Sequence, residues 1–149
     1  MKRIPVLLLG SVLAAALIAA GCGGGDDNSD TTTTSLTKAA WIAKADAICQ
    51  QGNQEIEQAA KQQFGNQQPT AAEVQDFGTG TALPATQTQV DKIRALGAPS
   101  GDEDQVNKLL DTVQADIDKA KAVGDVEDST FADGNALAKQ YGLQVCGQD

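Results

Sequence analysis

The chain contains no histidine. That removes the commonest general base, proton shuttle and metal ligand near neutral pH. Aromatics are scarce, with one tryptophan, one tyrosine and three phenylalanines. Trp41 and Tyr141 are therefore the only large amphipathic rings. Such rings are either core residues with satisfied polar atoms or the wall of a ligand pocket. Basic residues are few: 11 lysines and arginines stand against 20 acids, a formal net charge of −9. Nucleic acid is disfavoured as a partner, because phosphate binding needs basic clusters. No Gly-rich phosphate loop, nucleophile elbow or paired-cysteine motif occurs. No stretch alternates apolar and polar with β-branched residues, as a half-buried strand would. Acid pairs such as Glu55 and Glu57 lie on opposite sides of a helix, since i,i+2 residues do not face each other. The expectation is a protein that is not an enzyme, with no cofactor and no metal site implied.

What is present begins with a short positive head, Met1-Lys2-Arg3, and an apolar run from Ile4 to Ala20. A secretory leader has this order of basic head, apolar stretch and small residues. A spanning helix needs about 17–25 apolar residues, and this run sits at the lower limit while carrying Pro5 and Gly10. An uncleaved anchor is thus one reading. The segment Leu17-Ile18-Ala19-Ala20-Gly21-Cys22 resembles the lipobox of bacterial lipoprotein signal peptides. The resemblance implies cleavage between Gly21 and Cys22, diacylglycerol on the Cys22 sulfur, and a place on the extracytoplasmic side of the cell membrane. An ordinary signal peptide would leave a free cysteine at the new N-terminus.

Three regions follow: a leader over 1–21, the lipidated Cys22 with a flexible tether over 22–35, and a domain over 36–149. Loss of the leader leaves 9 basic residues against 20 acids, a formal net of −11. An acidic surface keeps a tethered domain soluble and away from anionic headgroups. Residues Gly23 to Ser35 carry no apolar side chain, so they cannot bury surface to offset their ordering entropy. Their flexible span is about 20 Å. The threonine run Thr31 to Thr34 is either a plain solvated linker or an acceptor of O-linked sugar. The domain is long enough for one core and too short for two. With Cys22 lipidated, Cys49 and Cys146 remain as a pair, and leftover cysteines outside the cytoplasm usually form a disulfide.

The domain reads as helices. Thr37 is a candidate N-cap, with Leu36 and Trp41 placed as a hydrophobic staple. Small or apolar residues recur at Trp41, Ala45, Ile48, Cys49, Gly52, Ile56 and Ala59, to an end near Gln63. Gly52 on that face suggests close approach by another group. A second start follows at Thr70, which forms a capping box with Glu73, with Val74 and Phe77 as the apolar face. Gly78, Gly80 and Pro84 disturb the pattern, predicting either one kinked helix or two helices meeting near Ala82 to Pro84. Leu83, Val90, Ile93 and Leu96 restore helical spacing, and Gly97 with Pro99 stops it. Ser100 and Glu103 predict another capping box ahead of the stripe Val106, Leu109, Leu110, Val113, Ile117 and Ala120. Gly124 ends it. A last helix is predicted from Ser129 or Thr130 to Tyr141, with Gly142 as C-cap and a tail to Cys146. Four such stripes with short connections predict an all-α antiparallel helical bundle closed by a disulfide.

Charge is uneven. Ten acids and three lysines fall between Asp102 and Asp133. The loop Asp125-Val126-Glu127-Asp128 is no EF-hand, because Thr130 and Ala136 stand where glycine and glutamate are needed. The acidic stretch reads either as a solvated face, with pairs such as Asp118–Lys121, or as a docking face for a basic envelope protein. Asp111, Asp116 and Asp118 are its candidate partner residues.

The runs Ala45-Asp46-Ala47-Ile48-Cys49 and Tyr141-Gly142-Leu143-Gln144-Val145-Cys146-Gly147, with the stop Leu96-Gly97-Ala98-Pro99, resemble small lipoproteins of high-GC Gram-positive bacteria. The resemblance implies an extracytoplasmic helical domain with paired cysteines and transfers no activity. The expected function is a lipid-anchored, non-enzymatic helical protein that binds or supports an envelope component. The alternative is a carrier holding a small apolar ligand between its helices, with the Gly78 to Pro84 break as the place for a cavity.

Overall fold

Thr37 starts the first helix, as its position predicts. Its backbone is extended and its hydroxyl accepts the Ala40 N–H at 3.3 Å, satisfying one of the free amides of the first turn. Leu36 packs against the core that holds Trp41. The computed structural model describes residues 35–127 and 129–148. The predicted leader, Cys22 and the tether up to residue 34 lie outside the described residues, as does Asp128 of the acidic loop. Helix α1 runs Lys38–Phe64.

Helix α2, Ala71–Phe77, opens on the predicted Thr70/Glu73 capping box, with both reciprocal bonds formed. It continues through a wide π-turn, Gly78–Ala82, into α3, Leu83–Arg94. The second predicted helix is therefore one interrupted helix. Pro84 has no N–H to give and its ring would crowd the carbonyl four residues back. The wide turn answers this: the Leu83 N–H bonds to Gly78 O, five residues back. Thr79, Thr86 and Thr88 hydroxyls donate to the carbonyls of Gln75, Ala82 and Pro84, giving the helix further bonds around the interruption.

Helix α4 spans Glu103–Val123 and α5 spans Ala132–Tyr141. Gly124 and Gly142 end them with φ of 69° and 111°, a region that glycine enters without the Cβ penalty. Two predicted starts are corrected. Ser100 does not cap α4; its hydroxyl pairs with that of Ser35 at 2.8 Å, and Glu103 accepts the Gly101 N–H at 2.7 Å. Asp102 occupies the N-cap position without a capping bond. Helix α5 starts after Ser129 and Thr130, because the Thr130 hydroxyl turns back to accept the Glu127 N–H.

The helices form an antiparallel bundle whose order follows from cross-helix contacts. Along α1 and the α2–α3 helix, Phe64 meets Phe77, and Gly52 meets Gln89. Along α3 and α4, Arg94 meets Asp111 and Gln87 meets Gln114. Along α4 and α5, Val113 crosses Gly134 and Asp102 reaches Tyr141. The α4 stripe is buried as its spacing predicts, except Val113, which is partly exposed. Val74 of α2 does not join the core and is 52% exposed. Only Phe77 of that predicted pair finds an apolar partner.

No extensive packing joins α1 to α5. They meet at one end through Trp41 and Tyr141, whose rings stand edge to face at 5.4 Å. The remaining seam is covered by the C-terminal tail, which the Cys49–Cys146 disulfide ties to α1. The bridge closes a separation of 97 residues, which in chain-entropy terms is worth about 4–5 kcal/mol at most. Cys49→Ser should lower the unfolding free energy by about 2–4 kcal/mol. Urea denaturation of wild type and variant, with and without reductant, measures this. Reductant should bring the wild type down to the variant, and an unchanged midpoint would show the bridge contributes nothing.

Candidate functional site

The tail is held at a second point besides the disulfide. The Asp46 carboxylate accepts the backbone N–H groups of Gln144 and Val145, at 3.0 and 2.8 Å, and that of Cys146 at 3.3 Å. Successive amides turned toward one carboxylate are charge-assisted bonds, stronger than neutral ones. Asp46 lies on α1 one turn before Cys49, so clamp and bridge fall on adjacent turns. Sequence reasoning did not single out Asp46. Its only signal was a position three residues before a cysteine, which says nothing of amides 98 or more residues away.

Behind this strap lies a partly open cavity of about 200 Å³. Cys49 and Cys146 form part of its wall, so the strap is also its cover. Val90, Ile93, Leu109 and Leu143 supply apolar surface. No charged side chain lines it. The Gly78 to Pro84 break, the predicted location, supplies none of its lining, and Leu83 there is 1% exposed. The space opens instead where α1 and α5 diverge.

Two polar groups in the wall stand out. Gln89 is 8% exposed, the one buried polar residue among those described. Its side-chain amide makes no hydrogen bond to another described residue, and it is not sealed off as Trp41 Nε1 and Asp116 Oδ2 are. Its side chain lies over Gly52, where a Cβ would come within 2.3 Å of Nε2. The close approach expected at Gly52 is thus made by Gln89. Trp41 is fully buried, and its Nε1 has no hydrogen-bond partner among the described residues. A buried donor left unpaired costs about 1–3 kcal/mol.

One end of the bundle carries a charged cluster. Tyr141 donates to Asp102 Oδ2 at 2.8 Å, Lys38 Nζ lies 3.5 Å from the same oxygen, and the ammonium sits 4.0 Å from the Tyr141 ring centre. Burial, then the bond to Asp102, pushes the Tyr141 phenol well above its usual range. Asp102 is thereby drawn off helix capping to join α4 to α5 and α1.

The predicted partner acids do not form one surface. Asp111 is exposed and paired with Arg94 at 3.1 Å. Asp118 accepts from Gln114 at 3.0 Å, while Lys121 reaches Gln87 at 3.1 Å rather than Asp118. Both acids lie toward α3. Asp116 lies on the other side of α4, against α5, 3.3 Å from where a Gly134 Cβ would stand. Its Oδ2 is sealed without a partner among the described residues. Residues 111 and 118 are seven apart and share a face, whereas 116 is turned well away. Among the described residues no group of three or more acids or cysteines could hold a metal ion, and no helix is long and apolar enough to cross a membrane. Comparison of the chain with protein-family models, characterised proteins and solved structures found no match.

Burial and the neighbouring Asp133 raise the Asp116 carboxyl above its ordinary value; the Gly134 N–H and Lys119 oppose this only in part. The folded state then holds this proton more tightly than the unfolded chain. The stability this gives is present below about pH 3.8, the ordinary value, and is lost as pH rises through the shifted one. At neutral pH the ionised group opposes folding. Asp116→Asn should therefore stabilise at pH 7 by about 0.5–1 kcal/mol, and the gain should disappear near pH 3.5. Denaturation curves at the two pH values check it.

Proposed function

We propose that this chain is a lipid-anchored, non-enzymatic helical protein of the extracytoplasmic membrane face, which binds or supports a component of the cell envelope. The observation that carries this reading is the Cys49–Cys146 disulfide. Such bridges persist in oxidising compartments, and the pairing leaves Cys22 as the odd cysteine. That cysteine follows an apolar run and small residues, where a lipoprotein leader is cut and acylated. The tether then holds a rigid, acidic bundle a short distance from the bilayer. Asp111 and Asp118, on the α3 side of α4, are the residues that would meet a basic envelope partner; Asp116 belongs to the α4–α5 packing.

A second reading, a carrier that holds a small apolar ligand between its helices, is favoured by the cavity behind the strap. A cavity near 150 Å³ with aliphatic walls is already enough to hold a benzene-sized molecule.

Intact mass of protein extracted from membranes tests the anchoring. Loss of Met1 to Gly21 with an acyl-bearing addition is expected. Cys22→Ala should release the protein or leave the leader attached. Normal cleavage and membrane retention of that variant would refute lipid anchoring.

A further inference from the structure

The carrier reading says that something is held; the polar groups of the wall say what kind of molecule. We propose that the cavity behind the C-terminal strap binds a small, uncharged molecule with an apolar body of about one ring and a single amide-like group, which pairs with the Gln89 side chain. This rests on the carrier reading.

Volume sets the size. About 200 Å³ admits a body somewhat larger than benzene, since roughly 150 Å³ holds benzene itself. The lining sets the charge. With no acidic or basic side chain in the wall, an ion finds no opposite charge there to offset the hydration it gives up on entry. Gln89 sets the polar group. A carboxamide is both donor and acceptor, and this one is 92% buried on the cavity wall with no partner among the described residues. Buried amides are ordinarily paired, and this one, not sealed, is left open on the cavity side. A ligand that both donates and accepts would pair with it in one contact. Gly52 makes the placement possible, because any larger residue there would overlap the Gln89 amide. Trp41 lines the same cavity, with its Nε1 sealed away from solvent.

Trp41 is the only tryptophan, so it reports occupancy directly. The test uses the purified oxidised protein and three probes of matched shape: benzamide, toluene and benzoate. Benzamide should change Trp41 emission saturably and raise the melting temperature. Toluene should bind at least about tenfold more weakly, and benzoate should not bind. In Gln89→Leu the benzamide affinity should fall about tenfold, the equivalent of one good hydrogen bond, with toluene binding kept. Gln89→Asn, which retains the amide on a shorter stem, serves if the leucine variant does not fold; it should also weaken benzamide selectively. Equal binding of toluene and benzamide, indifferent to either substitution, would overturn the amide pairing and leave the carrier reading standing. No saturable response to any probe by the folded wild type would overturn both.

Discussion

The bundle depends on closing the seam between α1 and α5. Three helix pairs, α1 with α3, α3 with α4 and α4 with α5, pack along their lengths. The fourth side lacks such packing, and a bundle open on one side would leave aliphatic residues in water. The tail from Leu143 to Cys146 fills that gap. Its backbone amides could not be buried there alone, because unpaired N–H groups are costly in an apolar setting. Asp46 satisfies three of them, and the disulfide to Cys49 holds the segment in register beside it. Covalent and electrostatic fastening replace helix packing on this side, and the same replacement creates the cavity, because a thin strap fills less volume than a helix.

Charge in this protein has more structural use than its surface distribution suggests. Asp102 joins Tyr141 and Lys38 at one end of the bundle, and Tyr141 in turn stacks edge to face on Trp41. Starts of α1 and α4 and the end of α5 thus meet in one cluster. Asp116 is taken into the α4–α5 contact, where Gly134 leaves room for it and for Val113. Of the ten acids between 102 and 133, two are therefore committed to packing. Asp111 and Asp118 stay on the solvent side with neighbours from α3. A lone exposed ion pair such as Arg94–Asp111 contributes little to stability, which leaves those acids available for other contacts.

Gly52 and Gln89 join the fold to the proposed function. Glycine inside a helix costs about 1 kcal/mol relative to alanine. Gly52 leaves the room that the Gln89 side chain occupies, and in the proposed carrier the two are halves of one site. The conflict between local preference and global packing is expected where binding, rather than stability, decides the residue.

Local signals were enough for the helical class, because the apolar stripes at Val106 to Ala120 and Trp41 to Cys49 have a period that only a helix can bury on one side. They were enough for the Thr37 and Thr70 caps, whose bonds span three residues, and for the Cys49–Cys146 pair, where few cysteines leave few choices. Pro84 announced an interruption, but whether the helix breaks or widens depends on what Leu83 packs against. Ser100 had a local partner in view, Glu103, and found a distant one in Ser35; Asp116, read with Asp111 and Asp118, turned to the α5 side because its position on the helix differs from theirs. Asp46 gave no local sign of its role, since amides 98 or more residues away in the chain approach it only after the strap has closed. The cavity, and the unpaired amide in its wall, exist only because α1 and α5 diverge, and that divergence is a property of how four helices and a tail share one core rather than of any segment within them.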